Sequence, residues 1–533
     1  MKLNYKRVIF VGFAFFQISA FWQAYDNIIP KILTDKFGLA QVWSGAIMAL
    51  DNVFALFLLP IFGAISDKVN SKHGRRTPFI VIGAILAAVL LVSVAVPDTI
   101  QRNQLAAVNA TEGEAYTEAL ETIWDANPEV SDWNNMMDTA KYPLQDLIEN
   151  KEDFTSIPFN VIGEDGKDKV NPQYTAIVVP ARQAYAAQIT AQNPGALIAF
   201  MILLFFTLIA MGSFRSPAVA LMPDVTVKPL RSKANAVINL MGSAGGVLVL
   251  VLGMVLGTGN AKNALMSYTV FFIIVAAIMM IGLAVFIWKV REKKWAEEMQ
   301  QDTLRLGLVE GAEEEKKNTE GEDVRKLSVG EKVSLFLILA SVVFWFMGYN
   351  AVTSKYSVYA STVLNVDYNT TMMIAQGAAI VSYLPVGILS SKLGRKKMIL
   401  AGVVILATSF FAASFLGADS PELVKKLLMP ALFAMAGIGW ATINVNSYPM
   451  VVELSKGSNV GKYTGFYYTA SMAAQIVTPI FSGALMDVSY YTLFPYAAIF
   501  VALAFVTMLF VRHGDAKPDA KQVALDAAGG GDD

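Results

Sequence analysis

The sequence contains no cysteine and only two histidines in 533 residues. The first absence excludes disulfides, thiolate metal sites and cysteine nucleophiles. His73 and His513 both sit in charged flanks, too few and too far apart to suggest a metal or catalytic centre. Charged residues make up only 16%, and a formal net charge of −1 gives no sign of a nucleic-acid partner. Apolar residues fill the space instead, at 55% of the chain and a mean hydropathy of +0.48. They come in unbroken runs of about 20, the length that crosses a bilayer. The first run, from about 8 to 29, is too long for a signal peptide and lacks a small-residue cleavage site, so it is expected to remain a helix. An all-α integral membrane protein follows, and without a clustered nucleophile or metal set a membrane enzyme does not.

Apolar runs and their flanks predict spans at 8–30, 42–66, 78–97, 195–213, 233–257 and 266–290. Six more are predicted at 334–356, 370–391, 398–417, 427–449, 464–486 and 492–511. The expected division is 1–290 for an N-terminal six-helix half, 291–332 for a mobile, partly helical cytoplasmic linker, 333–512 for a C-terminal half and 513–533 for a disordered tail. Short-loop cations orient the chain. Lys2, Lys6 and Arg7 precede the first span, Lys68, Lys72, Arg75 and Arg76 follow the second, and Lys392, Arg395, Lys396 and Lys397 follow the eighth. The alternate loops hold fewer, so both termini are expected in the cytoplasm, with the chain a monomer in the cell membrane.

The halves echo each other, as inverted or parallel repeats in transporters do. Phe21-Trp22-Gln23-Ala24-Tyr25-Asp26-Asn27 is answered by Phe344-Trp345-Phe346-Met347-Gly348-Tyr349-Asn350. Gly63-Ala64-Ile65-Ser66-Asp67-Lys68 is answered by Gly387-Ile388-Leu389-Ser390-Ser391-Lys392, and Met222-Pro223-Asp224 more loosely by Met450-Val451-Val452-Glu453. One segment breaks the symmetry. Residues 97–194 form an acidic insertion with 16 Asp/Glu against 6 Lys/Arg, and short helices near 104–123 and 173–192 are expected to make a small extracytoplasmic cap. A passive insertion and a lid or docking platform are both open readings.

The stretch from Gly63 to Phe79 lies between two apolar runs and holds four cations, Lys68, Lys72, Arg75 and Arg76. Its Gly-x3-Asp-Lys … Gly-Arg-Arg pattern, with Gly74 before Arg75 and Arg76, resembles the loop between helices 2 and 3 of the major facilitator superfamily. The longer form, Ser66-Asp67-Lys68 … Ser71-Lys72-His73-Gly74-Arg75-Arg76-Thr77-Pro78-Phe79-Ile80, resembles the sucrose/proton symporter branch, which is related to the glycoside–pentoside–hexuronide cation symporters. The segment Phe214-Arg215-Ser216-Pro217 … Asp224, then Arg231 … Ala234-Asn235-Ala236, resembles the same branch between helices 4 and 5. The resemblance implies twelve helices in two pseudo-symmetric halves and a substrate- or proton-linked role for Arg215. Ser216-Pro217 departs from the branch's usual Arg-Ala-Leu and puts a bend in the fourth helix in prospect. Near the inner surface by helical rise, Arg215 could equally balance Asp67 or Asp224.

Ionisable groups at membrane depth are costly and mark cavities or partners. Asp26 and Asp51 fall at similar heights on adjacent antiparallel spans, about 18 and 15 residues from their inner ends. Two carboxylates in one poorly solvated cavity form a protonatable site, and Asp51 is favoured for coupling. Trp22, Tyr25 and Asp26 share one helix face, and Trp345 with Tyr349 repeats the pattern. An indole plane among hydrogen-bonding side chains suits a sugar, although aromatics near helix ends also form interfacial belts. Asn27, Asn52, Asn350, Gln376, Asn444 and Gln475 add uncharged hydrogen-bonding groups. Gly63, Asp67, Gly74, Arg75, Arg76 and Asp224 are read as a cytoplasmic gate, with Asp67 facing the start of the eleventh span near Tyr463–Gly465. The expected function is symport of a di- or oligosaccharide with H+ or Na+ by alternating access, with no other cofactor. A drug or metabolite antiporter is the rival within transporters, and a non-transporting receptor or scaffold the rival outside them.

Overall fold

A computed structural model describes residues 3–126, 148, 150–162, 168–227, 230–259, 264–305, 327–454 and 460–514. Among them twelve long helices alternate in direction. The first six are α1 (Tyr5–Lys31), α2 (Gln41–Lys68), α3 (Thr77–Ser93), α4 (Gly195–Asp224), α5 (Arg231–Leu256) and α6 (Thr269–Lys289). The second six are α7 (Val329–Tyr359), α8 (Tyr368–Leu393), α9 (Arg395–Ala413), α10 (Glu422–Glu453), α11 (Val460–Val488) and α12 (Leu493–Leu509). Among the described residues, eleven helical segments are long and apolar enough to span a membrane. The remaining helix, α8, is thinned by Asn369, Thr370, Thr371, Gln376 and Ser382, which bear on the site below. Each half has its own core, one centred on α1, α3, α4 and α6, the other on α7, α9, α10 and α12.

Helix ends follow local chemistry. Ser328 and Glu331 form a reciprocal capping box at the start of α7, and Asp367 caps α8 through Asn369 N at 3.0 Å. Gly257 ends α5 in the left-handed conformation at φ 71°. α1 and α7 both finish in a π turn, Ile32–Lys36 and Ala360–Leu364. The largest boundary difference is in α4, expected to stop at 213. It continues through Pro217 and Pro223 to Asp224, so Arg215 lies inside a helix.

The linker was expected to be partly helical. Its first part is a helix, Glu292–Arg305, packed under the N-terminal half with Glu292, Trp295, Met299 and Thr303 buried. The rest, 306–326, lies outside the described residues, as does the tail from 515.

The two molecular faces are distinct. One carries the basic loop 69–76, the linker helix and both described chain ends. The other carries the insertion, which opens within a short helix, Ala95–Gln104, and contains Gly113–Ala126, Lys151–Thr155 and Val179–Gln192. An antiparallel hairpin, β1 (Asn160–Ile162) with β2 (Asp168–Val170), completes it. This cap has a core of its own built on Leu105, Leu120, Phe154, Phe159, Tyr174 and Ile177. The expected short helices at 104–123 and 173–192 are present in shifted form.

Candidate functional site

Four candidate residues converge in the N-terminal half. Asp26 on α1 and Asp51 on α2 lie within electrostatic reach of each other and of Arg215 on α4. The Arg215 guanidinium sits 5.8 Å from the Trp22 ring centroid, a cation–π distance. Asp51 Oδ1 accepts from Asn52 N at 2.6 Å and from Asn52 Nδ2 at 2.7 Å. Asn52, expected to meet substrate directly, therefore spends its amide on Asp51. Arg215 faces the two intramembrane carboxylates and not Asp67 or Asp224, which have other partners. Trp22 is half-buried, and its Nε1 has no hydrogen-bond partner. Tyr25 and Asn27 turn into the protein: Tyr25 is fully buried between Phe21 and Trp22, and Asn27 donates to Gln23 O at 2.8 Å.

The C-terminal half presents aromatics and amides at matching places. Tyr349 stacks on Trp440 of α10 at 3.7 Å with planes 2° apart. Trp345 is fully enclosed in the half's core, so neither face of its ring is free in this conformation. Its Nε1, Asn350 Nδ2 and Gln376 Oε1 are buried polar atoms without a partner. Asn444 and Gln475 are half-buried on α10 and α11, and their amides do not bond the other candidates. The halves meet through a residue the sequence reading missed: Gln376 Nε2 donates to Gln23 Oε1 at 2.7 Å. Gly246 of α5 lies against this bridge, and an added Cβ there would make ordinary contact with it, 3.4 Å from Gln23 Oε1 and 3.6 Å from Gln376 Oε1. Gln23 had a visible signal: it neighbours Trp22 in the repeated segment.

Above the bridge, the cap-side mouth is closed by bonds between halves. Lys31 and Lys355 are both fully buried. Lys31 Nζ donates to Thr258 O at 2.9 Å and lies 4.3 Å from the Tyr368 ring centroid. Asn369 Nδ2 bonds Thr258 Oγ1 at 3.2 Å. Lys355 Nζ donates across the halves to Gln41 O at 2.8 Å. Asp487, from α11, accepts from Gln41 N at 2.5 Å and Val42 N at 2.8 Å, and so caps the start of α2 from the opposite half. Lys31 stands six residues after Tyr25 and Lys355 six after Tyr349, a register that could have exposed the pair. The amide bridge lies eight residues further in on both α1 and α8, about 12 Å by helical rise.

The basic face is organised within one half. Arg76 bonds Asp67 and Ser66, and its Nε donates to Asp224 Oδ2 at 2.9 Å. Arg75 Nη2 donates to Asp224 Oδ1 at 2.6 Å, and that carboxylate holds the Arg75 guanidinium above its ordinary value. Asp67 is paired with Arg76 and its side chain is 54% exposed; most side chains at the start of α11, where it was expected to face, lie outside the described ones. Glu292, another missed residue, accepts from Arg75 N, Arg76 N and Thr77 N at 2.7–2.8 Å and caps α3. Gly74, at φ 114°, is required there, since a Cβ would fall 2.2 Å from Glu292 Cδ. Gly63 meets only Ser216 Oγ, 3.0 Å from a Cβ placed there. Among the described residues no cluster of His, Cys, Asp and Glu is suited to a metal.

Known proteins share this arrangement. A family model described as "Major Facilitator Superfamily" matches residues 178–424 and 372–528, and one described as "MFS/sugar transport protein" matches 10–110. The sucrose transport protein SUC4 of Arabidopsis thaliana is 37% identical over 54 residues, which are 10% of this chain. The chain thus matches only 11% of that relative's length. Among solved structures, a D-xylose-proton symporter aligns with a TM-score of 0.55 and 15% identity, over 96% of this chain and 99% of that one. The nucleoside transporter NupG gives 0.55 and 12%, over 95% and 100%. The inward-open xylose transporter XylE from E. coli gives 0.54 and 14%, over 96% and 97%. At such identities the likeness concerns the fold, that of a multi-pass membrane protein with twelve helices. With its family model matched over well more than half of its length, the chain belongs to the major facilitator superfamily.

Proposed function

We propose that the protein is a cation-coupled symporter of a sugar or glycoside, working by alternating access. The observation that carries this reading is the placement of Asp26, Asp51 and Arg215 around Trp22, beside an amide bridge that spans the halves. A carboxylate pair next to a fixed guanidinium can gain and lose a cation as the cavity changes sides. An indole and several unpaired amides suit the apolar face and hydroxyl rim of a sugar ring. In this assignment Asp26, Asp51 and Arg215 couple, while Trp22, Tyr349, Asn350, Gln376, Asn444 and Gln475 contact substrate. Tyr25, Asn27, Asn52 and Trp345 support them from behind. The family model matched by residues 10–110 is named for sugar transport, and the short SUC4 match points the same way.

The coupling ion is H+ in preference to Na+, since the site holds carboxylates and no built cation cage. One charge moved per cycle supports accumulation of about 50-fold per 100 mV, from about 2.3 kcal/mol of driving energy. The substrate is a di- or oligosaccharide, and the chain lies as a monomer in the plasma membrane with both termini cytoplasmic, as the Lys/Arg bias directs. The conformation is then closed to the outside, with rocking of the halves exchanging the two mouths.

The test is uptake of a panel of labelled sugars into proteoliposomes under an imposed pH or sodium gradient. Gradient-driven accumulation of one sugar is expected. No accumulation under either gradient, with outward movement of a cationic dye, would replace this reading with an exporter.

A further inference from the structure

The insertion is fastened to the two halves in unequal ways. Toward the N-terminal half its bonds are buried and numerous. Arg182, 2% exposed, donates to Asp35 O at 3.0 Å and to Asn109 Oδ1 at 2.7 Å. Gln183 Nε2 bonds Asp35 Oδ1 at 2.8 Å, and Gln101 Nε2 bonds Lys36 O at 2.9 Å. Lys36 and Asp98 form a fully enclosed ion pair at 2.5 Å, with Lys36 also 4.5 Å from the Tyr268 ring centroid. Backbones touch as well: a Cβ on Gly38 would fall 2.3 Å from Ala187 N. Burial pushes the Arg182 guanidinium below its ordinary value, so this joint must stay intact to keep a buried cation bonded. The cap is welded to the tip of α1.

Toward the C-terminal half the cap reaches out with its hairpin, with the turn 174–178 packed on 360–364, and with Gln183 beside the Tyr490 hydroxyl. Lys169 on β2 pairs with Glu422 at the start of α10, at 3.0 Å, with both side chains about a quarter exposed (28% and 26%). Asn365, between α7 and α8 and held at φ 52°, donates through Nδ2 to Val170 O at 3.1 Å. Tyr491, just before α12, packs on the edge of the cap's core. Glu422 is shared with Lys426 at 3.3 Å, so it keeps a partner if Lys169 leaves. The hairpin's own polar contacts are partly exposed and separable, unlike the buried bonds of the α1 joint.

We propose that the insertion is a strap: it travels with the N-terminal half, and its hairpin latches the C-terminal half at Asn365 and Glu422 to hold the cap-side mouth shut. When the halves part at this mouth, the Lys169–Glu422 and Val170–Asn365 contacts break while the α1 joint persists. The strength of the latch then sets the balance between the two orientations of the transporter. The strap rests on alternating access in the proposed function, and not on the identity of the substrate.

A substrate-free experiment tests it, so an unsuccessful sugar panel leaves it standing. Ser44 is fully buried on α2, next to Gly45, whose Cβ would fall 1.8 Å from Pro479 O of α11. A single S44C reporter in this cysteine-free chain is reachable only when the halves part. Its labelling by an impermeant maleimide, with the full chain in nanodiscs, reports cap-side opening. Adding Lys169→Glu places like charges across the latch and should speed labelling about fivefold to tenfold, the scale of a partly exposed ion pair turned repulsive. The charge swap Lys169→Glu with Glu422→Lys should return the rate to within about twofold of the parent. Restoration by the swap also shows that the altered chain folds. An unchanged rate in Lys169→Glu, or a faster rate that the swap fails to reverse, overturns the strap.

Discussion

The two halves repeat one scaffold with opposite chemistry. In the N-terminal half, α1 turns Trp22 and Asp26 toward Asp51 and the Arg215 guanidinium. In the C-terminal half, the same register after Tyr349 brings Asn350 where Asp26 stood, and the helix equivalent to α4 offers Trp440, stacked on Tyr349, in place of a cation. The position matching Asp51 is Ala375, which carries no charge and whose backbone packs on α10 at Gly437, where a Cβ would fall 2.1 Å from Ala375 O. One half is thus shaped to exchange a charge and the other to pack aromatics and present amides. Under the proposed symport such an asymmetric pair suits coupling, because only one half would change its charge state while both would grip the substrate.

The sharpest way to break this comparison is to remove charge from the N-terminal half. Asp51→Asn should abolish gradient-driven accumulation, a loss of at least about 100-fold, while substrate exchange stays within about threefold, since the change spares neutral contacts. Measured side by side in proteoliposomes, loss of both activities would instead make Asp51 part of the substrate site. Adding Ala375→Asp to that variant should not restore accumulation, because the new carboxylate would stand in the half that lacks Arg215.

Arg215 comes next. Arg215→Ala should lower accumulation and exchange together, about 30-fold, because it leaves two carboxylates without their common cation. Arg215→Lys should recover only part of this, since an ammonium lacks the planar face that lies over Trp22. Full recovery in the lysine variant would reduce Arg215 to a point charge.

A smaller effect is expected where the halves meet. Gln23→Ala or Gln376→Ala should raise the KM for substrate about tenfold with turnover within threefold, the usual cost of one lost polar contact in a binding site. An unchanged KM in both would place substrate elsewhere in the cavity.

Much of this was legible before the fold was in hand, for particular reasons. Unbroken apolar runs give spans because a bilayer demands them, and the Gly63–Lys68 echo at Gly387–Lys392 marks the halves. Asp26, Asp51 and Arg215 stand out because charge is rare at that depth. What stayed hidden depended on contacts between segments far apart in sequence. Glu292 looked like one more acidic residue of a charged linker, and only docking of that helix makes it a cap for α3. Asp487 acts across the halves and carries no local signal, and Lys355 shows only through its register with Lys31 in the repeated segments. The extent of α4 was misjudged because its apolar run ends ahead of Arg215; Ser216 Oγ bonds Leu59 O at 2.8 Å and holds the continuing helix against α2.

The smallest effect separates the two basic turns. In the N-terminal half the turn is held by a carboxylate: Glu292, 2% exposed, accepts three backbone N–H groups and Thr77 Oγ1 at the start of α3. In the C-terminal half Lys396 Nζ of the corresponding turn donates to Leu509 O at 2.9 Å and Val511 O at 2.6 Å, at the negative end of α12. Losing a cap costs about 1–2 kcal/mol, whereas a lysine at a helix C-terminus contributes about 0.5 kcal/mol. Glu292→Ala should therefore lower the thermal midpoint clearly more than Lys396→Ala, with Glu292→Gln between them because its amide oxygen still accepts. Equal shifts for the two alanine variants would mean that the turns are held alike, and that the asymmetry of the halves ends at the membrane's edge.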